Sequence, residues 1–158
     1  MENKQENTKT LKNKYIPTTE FYSQIIDSLQ DYSIFTLDQE YLINSWSSGA
    51  TKIFGYETEE VIGKPFDLIF TAEDLKNDVP KKEIEIALKE GRATDNRWHI
   101  TKDKSLFYAY GLVFPLIGLE GELLGYVKIL RNLTERKQSE DAIKKYIKDL
   151  EELNTHKE

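Results

Sequence analysis

The side chains that could do acid–base, nucleophilic or metal chemistry are few in this sequence and lie far apart. There are two histidines, His99 and His156, and no cysteine, which excludes a disulfide, a thiolate nucleophile and a cysteine-ligated metal. Glu73 and Asp74 are adjacent carboxylates, but their polar stretch offers no burial that would raise a pKa for acid catalysis, so we expect a solvated turn. We therefore predict no catalytic residues and no metal site.

Binding of phosphate, nucleic acid or a membrane is also disfavoured. The segment from Gly118 to Gly121 lacks a following helix start and a Lys-Ser/Thr pair, so it predicts a hairpin loop rather than a phosphate loop. The net charge is −6, and the lysines alternate with acidic residues, which argues against nucleic acid as a partner. No apolar run reaches the roughly 20 residues that span a bilayer, and the N-terminus has no signal core. We expect a soluble, cytoplasmic protein.

The elements that would position any site follow the order β-β, several short helices, then β-β-β. Residues 1–17 predict a disordered polar tail. Apolar periodicity and turn residues predict a helix at about 19–29, strands at 32–37 and 41–46, short helical pieces over 47–77, a helix at 79–90 capped by Asp78, and strands at 94–102, 106–114 and 122–133. The stripe Ile84, Ala87 and Leu88 should be the buried side of the 79–90 helix. Short connections make the last three strands antiparallel.

The last strand leads directly into a long charged helix over residues 135–158. Thr134 is a good N-cap, and Glu135 lies in the first turn, where the helix dipole favours an anion. The residues Ile143, Tyr146, Leu150 and Leu153 follow a three–four spacing typical of a dimer seam, and Ile147 widens it. Only about two heptads are present, so a helix lying on its own domain is the alternative. A helix joined to a sheet in this way favours signalling over catalysis.

Both faces of the 106–114 strand are apolar. One face has Leu106, Tyr108, Tyr110, Leu112 and Phe114, and the other has Phe107, Ala109, Gly111 and Val113. The short helices can cover one face. A large exposed apolar patch is unusual on a monomer, so we expect the N-terminal helix or a second copy of the chain to cover the other.

Three stretches of the sequence match the pattern of a known family: Trp46–Ala50 with Ile53–Tyr56 and Glu59–Lys64, then Gly91–Trp98 with Lys102–Ser105, and finally Asn132–Lys137. In their order and spacing, the sequence resembles the PAS sensor domain over about residues 20–137. Two positions depart from the family pattern, with Lys104 where glycine is usual and Asn132 where aspartate is usual. The second departure puts in doubt any salt bridge that the family uses to hold the exit helix.

The resemblance implies an α+β fold, with a five-stranded antiparallel sheet and short helices on one face, over residues 18–134. It also implies a pocket between the helices and the sheet, for which Trp46, Phe54, Tyr56, Asn96 and Trp98 are the candidate lining residues. Core and rim packing is the alternative role of the aromatic residues. Signal transmission would pass through Asn132, Leu133 and Thr134 to the exit helix.

PAS relatives hold haem, flavin, a small carboxylate or nothing. The light-sensing flavin class needs a reactive cysteine, which this sequence lacks, and the haem class commonly takes a histidine from the helix that corresponds to 79–90, which has none. We therefore expect no cofactor, with a flavin- or haem-binding redox or gas sensor as the alternative. A small-molecule ligand remains open.

These observations predict a non-enzymatic sensory and interaction module that works as a homodimer. Residues 150–157 resemble the segment that leads into the dimerisation helices of bacterial sensor histidine kinases. His156 lacks the His-Glu context of a phosphoacceptor, and no ATP-binding region is present. Two interpretations stay open: the input domain of a two-component kinase with a downstream catalytic part, and a free-standing PAS adaptor.

Overall fold

The computed structural model describes residues 18–156, so the predicted disordered tail at 1–17 and the last two residues lie outside it. The elements run in chain order as follows: α1 Thr19–Ser28, β1 Tyr32–Leu37, β2 Ile43–Trp46, α2 Ser48–Phe54, α3 Thr58–Val61, a 3-10 turn Phe66–Ile69, α4 Ala72–Lys76, α5 Val79–Glu90, β3 Ala93–Ile100, β4 Leu106–Ile117, β5 Leu123–Asn132 and α6 Thr134–Thr155. The predicted order of strands and helices is confirmed.

The five strands form one antiparallel sheet in the order β2-β1-β5-β4-β3. The strand that leads into α6 therefore lies in the middle of the sheet. β4 extends to Ile117, three residues beyond the predicted end, and includes Pro115. The pairing with β3 stops at Val113. Pro115, which has no backbone N–H to donate, therefore lies where one side of β4 has no neighbouring strand.

The inner face of the sheet packs under the helices. Aromatic rings from β1, β2, α2 and β4 form a continuous cluster in which Phe54 lies 5.6 Å from Trp46 and 4.9 Å from Phe107, centroid to centroid. Such buried side chains stabilise a fold by about 1.5–3 kcal/mol each. Gly49 permits the close approach of α2, because a Cβ there would lie 2.0 Å from the carbonyl oxygen of Tyr32.

Helix α5 has the predicted bounds but two different details. Asp78 does not cap it through its side chain, because its backbone is left-handed, with φ of 55°, whereas a capping residue needs an extended backbone. Leu88 is 49% exposed, and the buried side of the helix instead includes Glu83 beside Ile84 and Ala87. The predicted stripe was therefore wrong at one position, and a carboxylate faces the interior.

Candidate functional site

The five predicted pocket residues do not share one space. Trp46 and Phe54 are buried together, and the indole Nε1–H of Trp46 donates to the carbonyl of Tyr56 at 3.1 Å. Trp98 and Asn96 lie on the outer face of β3, where the Trp98 ring packs 5.2 Å from that of Tyr108. The expectation of a single cluster is corrected, because alternation along β3 turns Asp95, Arg97 and His99 inward instead.

The inner face of the sheet holds an ionic cluster made of Asp74, Glu83, Asp95, Arg97 and Lys128. The Nζ of Lys128, which is 1% exposed, lies 2.7 Å from Glu83 Oε2. Arg97 pairs with Asp95 and, at 2.9 Å, with Asp74, and its Nε lies 3.7 Å from Glu83 Oε1. The cluster thus joins α4 and α5 to β3 and β5. Asp74 is half-buried here rather than solvated as predicted, whereas Glu73 is exposed.

Gly111 of β4 provides the room for this cluster. A Cβ at that position would lie 2.9 Å from Asp95 Oδ1 and 3.4 Å from the Lys128 Nζ. Charges removed from water are tolerated only when they are paired at close range, and a side chain here would push the pairs apart. The glycine inside a strand, an unfavourable choice for the strand itself, is explained by this close approach.

The protonation of the cluster is shifted by its burial. Burial raises the pKa of Glu83 to about 7, although Lys128 opposes the shift. Burial would also raise the pKa of Asp95, but hydrogen bonding with Glu83 and the charges of Lys128 and Arg97 lower it below its ordinary value. The protein interior therefore raises the pKa of one carboxyl group and lowers the pKa of its neighbour.

His99 adjoins the cluster and is fully buried among the rings of Phe54, Phe70 and Phe107. Burial and the nearby Lys128 lower its pKa to about 4, so the imidazole is neutral at physiological pH. Its Nδ1–H donates to the carbonyl of Ile69 at 3.1 Å. The ring is thus held as a packing and hydrogen-bonding residue of the core.

A cleft of about 370 Å³ opens at the edge of the cluster, between α5 and β3. Val79, Ile86 and Ala93 provide apolar walls, while Glu83 and Arg97 lie at its base. The cleft can admit a small molecule without rearranging the aromatic cluster. The strand that lines it, β3, is one of the two edge strands of the sheet.

The junction between β5 and α6 is built differently from the prediction. Thr134 is the first helical residue rather than the N-cap, and its Oγ1 accepts from the backbone N–H of Tyr108 at 2.9 Å and donates to Asn132 Oδ1 at 2.7 Å. The N–H of Leu133 donates to the carbonyl of Tyr108 at 2.7 Å. Both backbone groups of one β4 residue therefore hold the start of α6, and Asn132 forms its hydrogen bonds without the charge of an aspartate.

The four predicted seam residues lie exposed along α6. The exposed fractions of Ile143, Tyr146, Leu150 and Leu153 range from 43% to 66%. Helix α1 likewise leaves Phe21 and Tyr22 more than half exposed, and it is anchored at its C-terminal end, where the Ser48 hydroxyl donates to the carbonyl of Asp27 at 2.8 Å. These surfaces are apolar and open in the single chain.

Sequence reasoning missed the buried charges of Glu83 and Lys128. The sequence nevertheless contains one indication of burial for each of them. Lys128 has the same strand parity as Tyr126 and Leu130, and Glu83 precedes Ala87 by one helical turn. Each of these positions places a charged residue on a buried face, where it needs a partner of opposite charge.

Over residues 18–156, no helix is long and apolar enough to cross a membrane. Within the same residues, no three histidine or acidic side chains are grouped so that they could hold a metal ion.

Comparison with known proteins agrees with the geometry. The curated relatives include Two-component system protein A of Emericella nidulans, 37% identical over 130 residues, and the cell-division control histidine kinase PdhS of Brucella anthropi, 27% identical over 142 residues. The matches cover 82% and 84% of this chain but only 19% and 12% of those two proteins. The chain therefore spans less than a fifth of the length of either.

Among solved structures, the crystal structure of a PAS domain from Colwellia psychrerythraea superposes with a TM-score of 0.67 at 21% identity, covering 73% of this chain and 97% of that one. At this identity the likeness concerns the fold. The family model described as PAS domain matches residues 31–135, from the start of β1 to the first turn of α6. With the five-stranded sheet and its helical cover, this match shows that the chain belongs to the PAS domain family.

Proposed function

We propose that this chain is the input module of a two-component sensor histidine kinase and that it passes a signal from the PAS core to the exit helix α6. The names of the relatives from Emericella nidulans and Brucella anthropi support this role. On this proposal the catalytic steps belong to another segment or protein. A free-standing PAS adaptor is the alternative, and in both cases α6 must respond to the core.

The observation that supports transmission most directly is the junction at Tyr108. Its backbone carbonyl receives the N–H of Leu133, and its N–H donates to Thr134 Oγ1. A displacement of β4 relative to β5 would therefore change the geometry at which α6 leaves the sheet. A switch needs two arrangements that differ by only a few kcal/mol, and a few hydrogen bonds are enough to bias such a balance.

Hydrogen exchange on the full chain tests this role. Thr134→Ala removes the hydroxyl contact, and Leu133→Ala removes a half-buried side chain that lines the groove under α6. Each hydrogen bond is worth about 1 kcal/mol, roughly a fivefold change in a local opening equilibrium. We expect faster exchange confined to residues near 131–142, with the larger effect from Leu133→Ala.

Ser139→Ala provides the matched control, because Ser139 is exposed on the same helix and is not among the residues that line the groove under it. It should leave the exchange pattern unchanged. Unchanged exchange in both junction variants, or a loss of protection throughout the domain, would contradict the idea of a separable hinge.

We also propose that the working form is a homodimer joined through the seam of α6, with the open apolar surfaces of α1 and the sheet adding to the contact. The exposed fractions of Ile143, Tyr146, Leu150 and Leu153 support an interface along that helix. Two heptads are short for an independent coiled coil, so the domain surface must contribute area.

A cofactor-free state is part of the same proposal. The space between helices and sheet is occupied by the aromatic cluster and the ionic cluster, and His99 already donates to Ile69 from inside the core. We expect a colourless protein whose denatured mass spectrum contains the polypeptide alone. A stoichiometric haem or flavin absorption band would contradict this and favour the redox or gas sensor.

A further inference from the structure

Two buried carboxylate oxygens of the ionic cluster have no hydrogen-bond donor among the described residues. They are Glu83 Oε1 and Asp95 Oδ1. The second oxygen of each group is used, since Glu83 Oε2 accepts from Lys128 and Asp95 Oδ2 accepts from Arg97. Buried polar atoms without partners are rare in proteins, so this pair of orphaned acceptors requires an explanation.

Both side chains converge on Arg97, which pairs with Asp95 and whose Nε lies 3.7 Å from Glu83 Oε1. Hydrogen bonding between the two carboxyl groups is among the causes that raise the pKa of Glu83 and lower the pKa of Asp95. Two ionised carboxylates cannot form such a bond, because both offer only acceptors. One proton placed between them satisfies both orphaned oxygens at once. We propose that Glu83 and Asp95 share a single buried proton, which pins α5 to the sheet, and that loss of this proton loosens α5.

The charges around the pair agree with one shared proton. The acidic groups are Glu83 from α5, Asp95 from β3 and Asp74 from α4, and the cations are Lys128 from β5 and Arg97 from β3. Three carboxylates and two cations leave one negative charge in excess, which one proton cancels.

The remaining neighbours cannot take over that role. The inward residues of β4 are Phe107, Ala109, Gly111 and Val113, none of which titrates, and the buried His99 of β3 is neutral. Lys82, next to Glu83 on α5, is exposed at the mouth of the cleft. Loss of the proton would therefore leave two carboxylates facing each other with poor access to water, which is costly in a medium of low dielectric.

The raised pKa of Glu83, about 7, sets the pH range. Because the folded protein keeps this proton at pH values where an unfolded glutamate has lost it, the associated stability is complete below about pH 4.5 and declines as pH rises through 7. The lowered pKa of Asp95 keeps it the acceptor of the pair throughout this range. The interior contact would therefore respond at physiological pH.

The direct test follows the side-chain carboxyl carbons of glutamate by NMR in the full, isotopically labelled chain between pH 5 and 9. We expect one resonance, lost in Glu83→Gln, to titrate near pH 7 while the other glutamates have finished titrating. In Asp95→Asn the amide donates to the Glu83 carboxylate, so the midpoint should fall by at least one pH unit. A Glu83 midpoint at the ordinary glutamate value in the unmodified chain would overturn the shared proton.

Hydrogen exchange of α5 tests the mechanical consequence. After correction for the intrinsic pH dependence, opening of α5 should increase severalfold between pH 6 and 8 in the unmodified chain. Glu83→Gln, whose amide can donate to Asp95 at any pH, should remove the increase, and Glu85→Gln on the exposed side of the helix should retain it. Equal behaviour of α5 at both pH values in the unmodified chain would overturn the pin even if Glu83 titrates near 7.

Discussion

Side chains alternate between the two sides of the sheet, but helices cover the inner side whereas apolar residues on the outer side stay exposed. On the inner side, helices cover the aromatic cluster, and each cation of the ionic cluster pairs with at least one carboxylate. On the outer side, apolar residues of β4 such as Leu106 and Tyr110 remain exposed, as do the apolar residues of α1 and α6. The inner side thus has the packing of a protein core, whereas the open side exposes apolar residues that a core would bury.

Two neighbouring residues of β4, one on each side of the sheet, provide the strongest test of this difference in packing. Phe107 is 5% exposed and Leu106 is 55% exposed. Phe107→Ala should lower the free energy of unfolding by about 3–5 kcal/mol, because it removes a ring from the aromatic cluster and leaves a cavity. Leu106→Ala should change it by less than about 1 kcal/mol, since little area is lost from a packed contact.

Urea denaturation at fixed pH measures both values. Equal losses for the two substitutions would mean that the outer side is as well packed as the inner side, and the distinction between the sides would fail.

A substitution in the ionic cluster should give the next largest loss of folding stability. Lys128→Ala should destabilise the protein by about 3 kcal/mol, because the acidic residues left in the interior lose a cation that they cannot replace from water. Arg136→Ala is the control on the open side, where the pair with Glu140 at 3.2 Å is solvated on α6 and should contribute little. Thermal unfolding of the two variants compares them, and a tolerated Lys128→Ala would show that the cluster neutralises itself in another way.

His99 allows the inner side to be tested through the pH dependence of folding stability. Its pKa is lowered to about 4 in the folded protein, so between pH 6.5 and 4 only the unfolded chain takes up the proton. Stability from this residue is therefore present above pH 6.5 and is lost as pH falls, by about 1.4 kcal/mol per pH unit. The Glu83 proton acts in the opposite direction over part of this range, so the whole-protein slope alone does not isolate His99.

Variants of the two histidines separate these contributions. In His99→Gln, the stability difference from the unmodified protein should shrink as pH falls from 6.5 to 5, measured by urea denaturation at each pH. His156→Gln changes an exposed residue of α6 and should follow the unmodified protein throughout. Parallel curves for His99→Gln and the unmodified protein would show that His99 does not couple folding to pH.

The sequence predicted the order of the elements and the antiparallel sheet because periodicity and turn residues are local properties. It did not decide which side of β3 faces inward. Alternation gives two faces, and the one with Trp98 is the more hydrophobic, but the one with Arg97 and His99 is buried. Arg97 is half-buried there, and its charge is balanced by Asp74, Glu83 and Asp95, two of which come from other elements.

The same limit applies to α5 and to the junction. Helical spacing allows either Leu88 or Glu83 to join the buried stripe, and the choice depends on Lys128, which lies 45 residues away along the chain. Thr134 has the residue type of a cap, but the N–H that it accepts belongs to Tyr108 of a neighbouring strand. Local rules identified Thr134 as important but missed Glu83, and the partners of both residues are set by the tertiary fold.

The seam of α6 should give the smallest effect on folding and the clearest effect on association. The double substitution Ile143→Asp and Leu150→Asp places two charges on a surface that is exposed in the single chain, so the free energy of unfolding of the PAS core should hardly change. In a dimer the same charges would be buried without partners, which is strongly unfavourable. Sedimentation at tens of micromolar should therefore show a dimer for the unmodified chain and a monomer for the variant.

Lys144→Asp with Lys148→Asp is the matched control, since it changes charge on the same helix beside the seam rather than within it. It should retain the dimer. A monomer for the unmodified chain would mean that this part of α6 does not associate by itself, and the open side would then need another partner. A dimer that survives both double substitutions would move the interface to α1 or the outer face of the sheet, where Phe21→Asp and Tyr110→Asp would be the next variants to sediment.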